Sequence, residues 1–185
     1  MFSEITYNAI KKASLLHEGQ TRKDMEETPY VSHLVGVALI LSQYTTDKDI
    51  IIAGLLHDTV EDTKYTPKQL EQDFGKKIKD IVMGVTENKS IRNWKARKLD
   101  YLENLKNTPE ESLLVAAADK IHNMTSLLID FKNMDRKILK RFGSNVQERI
   151  WFHREVLKII ENRIDSPIIE EYKKVFEKTC TKFDF

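Results

Sequence analysis

The chain has 185 residues, of which 41% are hydrophobic and 32% are charged, a composition typical of a globular domain with a buried core. A net charge of +1 excludes a strong overall field for binding nucleic acid or a membrane surface. The single cysteine, Cys180, excludes an intrachain disulfide and a thiolate metal site. We see no signal-peptide pattern and no apolar segment of the ~20 residues that span a bilayer, so we expect a cytoplasmic protein.

Helical spacing of apolar residues dominates the beginning of the chain. Residues 3–18 form one amphipathic segment, and Gly19 fits its C-terminal cap. A polar loop follows, and Pro29 predicts the start of a second helix that carries His33 near its beginning. A lone histidine on an apolar helix is more often a core residue than a ligand, but here further candidate ligands follow it.

A third helix is predicted to start at residues 47–49 and to run through seven apolar residues, 50–56. Directly after that run the chain reads His57-Asp58-Thr59-Val60-Glu61-Asp62-Thr63. Burying a charge without a partner is costly, and a bound metal ion would supply the partner. The alternative is a helix C-terminus with a capping histidine and a solvated acidic turn.

Helix geometry separates the motif 57–63 into two functional pairs. On a continuous helix His57 and Asp58 diverge by about 100° and can straddle one ion. Glu61 and Asp62 lie one turn further, roughly 5 Å along the axis, beside the ion rather than in contact with it. Imidazole and carboxylate ligands suit Mn, Fe, Zn or Mg.

The next segments carry weaker signals. Residues 66–69, Thr-Pro-Lys-Gln, have the form of a capping box with a proline in the first turn. Residues 86–98 hold five basic residues against one acid. This basic segment is either a solvated helix face or a rim that binds phosphate.

Asp119 lies in a helix predicted for residues 110–130, directly after three alanines. Small residues let a neighbouring helix come close, as is needed if Asp119 contributes to a shared site. Asn123 and Ser126 follow on the same helix stripe. The spacing of His122 fits a ligand, a packing residue or a hydrogen bond equally well.

The C-terminal third predicts two further helices, at 144–164 and from Pro167 to about Thr181. The aromatic pair Trp151 and Phe152 fits a core position better than a role in stacking on a base. No segment shows strand-like alternation, so we predict an all-α fold. The prediction is a single domain spanning residues 1–185, built as a helical bundle of about eight or more helices.

This ordered set of residues resembles the HD-domain metal phosphohydrolases and, more closely, the hydrolase domain of the RelA/SpoT family. The resemblance covers about residues 5–160. The motifs that carry it are His17-x-Gly19-Gln20-x-Arg22-Lys23, Pro29-Tyr30-Val31-x-His33, Leu55 to Thr63, Phe74-Gly75, Ile81-Val82-x-Gly84-Val85-Thr86 and Ala118-Asp119-Lys120-Ile121-His122-Asn123.

The resemblance implies a stand-alone small alarmone hydrolase. Its substrates would be guanosine 3′,5′-polyphosphates, cleaved at the 3′-diphosphate to give GDP or GTP and pyrophosphate. It implies one ion, usually Mn²⁺ with other divalent metals possible, and a pair of carboxylates that activates water. The implied residues are His33, His57, Asp58 and Asp119 for the metal, Glu61 and Asp62 for catalysis, and Arg22, Lys23, Asn123 and Ser126 for the nucleotide.

Two positions depart from the family pattern. Leu34 stands where the family often has proline, which affects helix geometry but not ligation. Ala116 stands where the family often has lysine, and the lost charge is expected to weaken binding or shift substrate preference.

Two alternatives stay open from the sequence. One is an HD-domain phosphohydrolase acting on another nucleotide, such as an adenosine alarmone, NADPH or a nucleoside monophosphate. The other is a non-catalytic module that binds a nucleotide. Neither alternative involves nucleic acid or a membrane, and the sequence gives no oligomeric state.

Overall fold

The computed structural model describes residues 3–22, 24, 27–134 and 146–183. These ranges contain no β-strand, only an isolated bridge between Thr21 and Pro29, so the all-α prediction is confirmed. The helices are α1 (Glu4–Leu16), α2 (Val31–Leu41), α3 (Lys48–Leu56), α4 (Thr59–Asp62), α5 (Pro67–Phe74), α6 (Lys76–Gly84), α7 (Trp94–Asn107), α8 (Glu110–Met134), α9 (Val146–Glu161) and α10 (Ile168–Lys182).

Helix α8 is the centre of the bundle. It packs against α2, α3, α6, α9 and α10. The three alanines 116–118 are almost completely buried, because small side chains let several helices approach one axis. This packing brings Asp119, the next residue, to the inner surface of the bundle beside α2 and α3.

The helix predicted from residues 47–49 is α3, and residues 57–63 do not continue it as one helix. Helix α3 ends at Leu56 and the single turn α4 begins at Thr59. The Thr59 hydroxyl donates to the Leu56 carbonyl at 2.6 Å, and His57 Nδ1 lies 2.8 Å from the carbonyl of Gly54. Side chains that form hydrogen bonds with backbone carbonyls compete with the regular hydrogen bonds of a helix, so the helix is interrupted at the motif.

Pro29 does not open α2, which begins two residues later at Val31. Instead it belongs to a loop that folds back on itself. The Arg22 amide donates to the Thr28 carbonyl at 2.8 Å, and the Tyr30 amide donates to the Gln20 carbonyl at 2.9 Å. These bonds fix the loop that carries Arg22 against the start of α2.

Other local predictions agree with the structure. The capping box of Thr66 and Gln69 is formed at the start of α5, and α8 covers the helix predicted at 110–130. None of the helices in the described ranges combines the length and the apolar character that a membrane span requires.

Candidate metal centre and nucleotide pocket

Four side chains from three parts of the chain meet inside the bundle. The Nε2 atoms of His33 and His57 are 3.3 Å apart. Asp58 Oδ2 lies 3.2 Å from His57 Nε2 and 3.6 Å from His33 Nε2. Asp119 Oδ1 lies 3.2 Å and 3.8 Å from the same two nitrogens. The structure therefore brings together all four residues that the resemblance assigned to a metal.

The arrangement has the spacing of a metal site. Ligand atoms of His33, His57 and Asp58 all lie within 4.8 Å of one another. Asp119 is not part of that tight triple, but it approaches both imidazoles. Both histidines are almost completely buried, so water does not screen the cluster.

The protonation of His57 leaves a nitrogen available for a cation. Its Nδ1 faces the Gly54 carbonyl, which can only accept a hydrogen bond, so Nδ1 carries the proton and Nε2 presents a lone pair. That lone pair belongs to the neutral ring: burial by itself lowers the pKa of His57, but the carboxylates of Asp58 and Asp119 raise it well above its ordinary value. Without an ion, Nε2 therefore takes up a second proton, which a bound cation would displace. The cluster thus favours a positive charge between its members, and two imidazoles with two carboxylates fit a divalent ion.

Surrounding residues hold the carboxylates and imidazoles in place. The Tyr30 hydroxyl donates to Asp58 Oδ2 at 2.6 Å, and Asn123 Nδ2 donates to Asp119 Oδ1 at 2.5 Å. His33 Nδ1 lies 2.9 Å from His122 Nδ1, which settles the open question of His122 in favour of a hydrogen bond. Such contacts orient ligands and raise metal affinity.

Lys120 is a supporting residue that has no role in the sequence-based prediction. Its ammonium donates to Asp119 Oδ2 at 2.5 Å, and it lies over the rings of Tyr101 and Phe152 at 5.3 and 5.4 Å. Aromatic faces stabilise a buried cation. The sequence signal was the position directly after Asp119, but the aromatic surroundings come from α7 and α9.

The acidic pair lies next to the cluster on α4. Glu61 Oε2 accepts the backbone N–H of Glu87 at 2.8 Å, and Glu61 Oε1 is 2.8 Å from Lys89 Nζ. Burial, together with the charges of Asp58 and Glu87, raises the pKa of Glu61 to about 7. A carboxylate with that pKa is suited to accept a proton near neutral pH.

The loop after α1 holds the backbone of Asp62 in place. The Gln20 side chain donates to the Asp62 carbonyl at 3.1 Å, and Gln20 Oε1 lies 2.8 Å from His17 Nδ1. The His17 ring stacks on Tyr30 with centroids 5.0 Å apart. The loop motif 17–23 therefore supports α4 as well as the pocket.

A cavity of about 520 Å³ opens beside the cluster, a volume typical of a small-molecule site. Arg22 Nη2 donates to Asn123 Oδ1 at 3.0 Å and to Ser126 Oγ at 3.3 Å, so three of the four predicted nucleotide contacts lie together on its wall. Lys23 lies outside the described residues. Other lining residues include Tyr30, Trp94, Lys98, Lys120, His122, Arg149, Phe152 and His153, together with the acidic residues Asp24 and Asp130.

The basic segment 86–98 is only partly a rim of this cavity. Lys98 lines it, but Arg97 Nε bonds Glu87 at 2.9 Å, and Lys98 Nζ bonds the other oxygen of Glu87. Lys89 is paired with the acidic residues of α4. Within the described ranges, much of the positive charge is therefore already balanced by carboxylates.

His153 is a cavity residue that sequence reasoning missed. Its Nδ1 is buried and has no hydrogen-bond partner among the described residues. Burial, followed by the charge of Lys120, lowers the pKa of His153 to about 3, so the ring is neutral at pH 7. Its only sequence signal was a histidine directly after two aromatic residues on a helix.

The family model for the HD domain matches residues 9–148. That range contains all four residues of the cluster and both members of the acidic pair. The chain belongs to the HD domain family.

Within that family, named relatives share substantial identity with the chain. The guanosine-3′,5′-bis(diphosphate) 3′-pyrophosphohydrolase MESH1 of Xenopus tropicalis is 41% identical over 121 residues, which are 64% of this chain and 67% of that protein. The human MESH1 is 38% identical over 117 residues, 62% of this chain and 65% of that protein. The bifunctional (p)ppGpp synthase/hydrolase SpoT of Escherichia coli K12 is 37% identical over 117 residues, which are 60% of this chain and 16% of SpoT.

Solved structures share the fold as well. A structure described as a metazoan ortholog of SpoT that hydrolyses ppGpp has a TM-score of 0.81 and 28% identity. It covers 96% of this chain, and 97% of its own chain is matched.

Proposed function

We propose that this chain is a metal-dependent enzyme that hydrolyses guanosine 3′,5′-bis(diphosphate) and its pentaphosphate form at the 3′-diphosphate. The products are GDP or GTP and pyrophosphate. The observation that carries the proposal is the convergence of two imidazoles and two carboxylates beside an acidic pair and a polar cavity. The named activity of its MESH1 relatives supports the choice of substrate.

The proposed ion is a single Mn²⁺, held by His33, His57, Asp58 and Asp119. The donor set suits Mn²⁺ and also admits Fe²⁺, Zn²⁺ or Mg²⁺. When bound, a divalent ion supplies positive charge that polarises the phosphate and acidifies water beside it. The hydrogen bonds from Tyr30, Asn123 and Lys120 support the same assignment, because they fix the two carboxylates as ligands.

The proposed reaction adds water to the phosphorus attached to O3′ of the ribose. Glu61 accepts the proton of the attacking water, and Asp62 assists in its orientation and transfer. The bond between that phosphorus and O3′ breaks, and O3′ takes up a proton. Pyrophosphate leaves, and the 5′-diphosphate or 5′-triphosphate stays on the nucleoside.

The remaining predicted residues bind the nucleotide. Arg22 is held against Asn123 and Ser126, so one guanidinium and two neutral polar groups face the same part of the cavity. Guanidinium groups suit phosphate oxygens. Lys23 is proposed to contribute a second cation beside Arg22.

The test is metal analysis of the purified protein combined with hydrolysis of guanosine 3′,5′-bis(diphosphate). We expect about one divalent ion per chain and release of pyrophosphate that stops with a chelator and returns with Mn²⁺. A panel with an adenosine alarmone, NADPH and nucleoside 5′-monophosphates completes the experiment. Preference for a 5′-monophosphate, or release of phosphate instead of pyrophosphate, would contradict the proposed substrate.

A further inference from the structure

Lys89 bridges the two carboxylates to which catalysis was assigned. Its ammonium lies 2.8 Å from Glu61 Oε1 and 3.1 Å from Asp62 Oδ1. The Lys89 side chain is half exposed, whereas Glu61 is 12% exposed. The cation therefore closes the solvent side of the acidic pair, and it comes from the loop between α6 and α7.

The loop that carries Lys89 is anchored on both sides. The Glu87 backbone N–H bonds Glu61, and the Glu87 carboxylate bonds Arg97 and Lys98 at the start of α7. The Ile91 amide donates to the Asn88 carbonyl at 3.1 Å, which forms a turn around Lys89. Both oxygens of Glu61 are thus held by one loop whose position is fixed by α7.

The charges around Glu61 explain why a cation is needed there. Carboxylates of like charge repel each other when water is excluded. Lys89 is the cation in direct contact with Glu61, and Lys98 acts from further away. The groups that face Glu61 are Asp58, Asp62, Glu87, Lys89, Lys98 and Tyr101.

Lys89 differs from the cations that line the nucleotide cavity. Arg22, Lys98, Lys120 and Arg149 line that cavity, whereas Lys89 is absent from its described wall. A residue whose contacts are the acidic pair is expected to affect proton transfer rather than substrate affinity.

We propose that Lys89 is a positioning residue for the reaction: it holds the Glu61 and Asp62 carboxylates side by side and balances their charge, so that the pair accepts a proton from water. The inference rests on the proposed role of Glu61 and Asp62. It adds a residue outside the cluster and the cavity to the machinery of the site.

The chain offers a closely matched control for Lys89. The ammonium of Lys77 lies 2.9 Å from Asp47 and 3.1 Å from Asp49, and its side chain is also 50% exposed. Lys77 belongs to α6, and its partners are at the start of α3, at the opposite end of that helix from the metal cluster. Lys77→Met removes a surface ion pair of the same geometry without touching the acidic pair.

The experiment compares Lys89→Met, Lys89→Arg and Lys77→Met with the wild type. For Lys89→Met we expect kcat to fall about tenfold, part of the contribution typical of a general base, with KM changed less than about twofold. The acidic limb of the kcat/KM profile should move to higher pH, because the lost cation no longer favours ionised Glu61. Lys89→Arg should restore most of kcat, and Lys77→Met should match the wild type.

The outcomes separate this inference from the proposed function. Equal behaviour of Lys89→Met and Lys77→Met would overturn it, and so would a raised KM with an unchanged kcat and pH profile. The metal content and the unfolding midpoint of each variant are measured as well. Values equal to those of the wild type show that the variant keeps its metal site and its fold. Any panel nucleotide that the wild type hydrolyses serves as substrate, so a wrong guanosine assignment leaves the test intact; a wild type that hydrolyses none overturns both proposals.

Discussion

Glu61 lies where burial and two neighbouring carboxylates act in the same direction. Burial and the charges of Asp58 and Glu87 together raise its pKa to about 7, although the hydrogen bond with Lys89 lowers it. Below that pH the carboxyl group is protonated and cannot accept a proton. The residue therefore connects the packing of α4 with the pH dependence of the proposed reaction.

The first prediction concerns Glu61→Gln. We expect activity of the wild type to fall as the pH drops below about 7, and kcat of the variant to fall by roughly 10²-fold or more, since it has lost a general base. The metal content should not change, because Glu61 is not one of the four proposed ligands. The measurement is a pH profile of pyrophosphate release; a variant with normal turnover would contradict the assigned role.

The second prediction concerns the hydroxyl of Tyr30. Tyr30→Phe removes the 2.6 Å hydrogen bond to Asp58, and we expect metal affinity to fall about 10- to 100-fold, as for other partners of metal ligands. Tyr65→Phe is the matched control. The Tyr65 hydroxyl donates a 2.7 Å hydrogen bond to Asp73, which is not part of the metal cluster. Competition with a chelator measures both affinities, and equal values for the two variants would refute the prediction.

At the level of elements, the site depends on a close approach of α2 and α8. A Cβ atom at Gly36 would lie 2.3 Å from the His122 ring, so glycine leaves the space that His122 occupies. His122 in turn bonds His33. The contact between two helices thus determines the orientation of a proposed ligand.

The third prediction is that Gly36→Ala weakens metal binding through that contact. Overpacking costs about 1–3 kcal/mol of stability, and displacement of the His122 ring should also disturb His33. Gly84→Ala is a control for the stability effect, since its Cβ would lie 1.9 Å from Thr108 Oγ1, which belongs neither to the cluster nor to its hydrogen-bond partners. We expect both variants to unfold more easily in denaturant, but only Gly36→Ala to lose metal affinity; unchanged affinity would show that the close approach does not control the site.

How much of this site the sequence predicts depends on how far apart along the chain the contacting residues lie. His57 and Asp58 are adjacent, and Asp119, Asn123 and Ser126 share one helix stripe, so local spacing was sufficient to group them. The exact break between α3 and α4 depends on the Thr59 hydroxyl and the His57 ring, which bond backbone carbonyls. Apolar periodicity does not report such bonds.

The local spacing of residues does not predict contacts between segments that are distant in sequence. Lys89 and Glu61 are 28 positions apart, and the basic segment around Lys89 gave only the alternatives of a solvated face or a phosphate rim. The aromatic surroundings of Lys120 and the buried nitrogen of His153 likewise depend on how α7, α8 and α9 pack. Periodicity predicted many of the helices, though not α6 or α7, and it did not show which side chains would meet.

At the level of the whole molecule, a nearly neutral chain is proposed to bind a highly charged nucleotide. Its net charge is +1, so attraction depends on the side chains of the cavity itself. Arg22, Lys98, Lys120 and Arg149 line it, and Lys98 and Lys120 are paired with Glu87 and Asp119. These cations come from the loop before α2 and from α7, α8 and α9, so the fold brings side chains that are distant in sequence to one cavity. The fold thereby creates a local field that composition does not reveal.

The central claim is that His33, His57, Asp58 and Asp119 hold one divalent ion. Anomalous X-ray diffraction at the manganese edge, from crystals grown with Mn²⁺, tests it most directly. We predict one strong peak about 2.0–2.3 Å from an imidazole nitrogen of each histidine and a carboxylate oxygen of each aspartate. A peak that these four side chains do not share, or no peak at a metal concentration that supports turnover, would contradict the account.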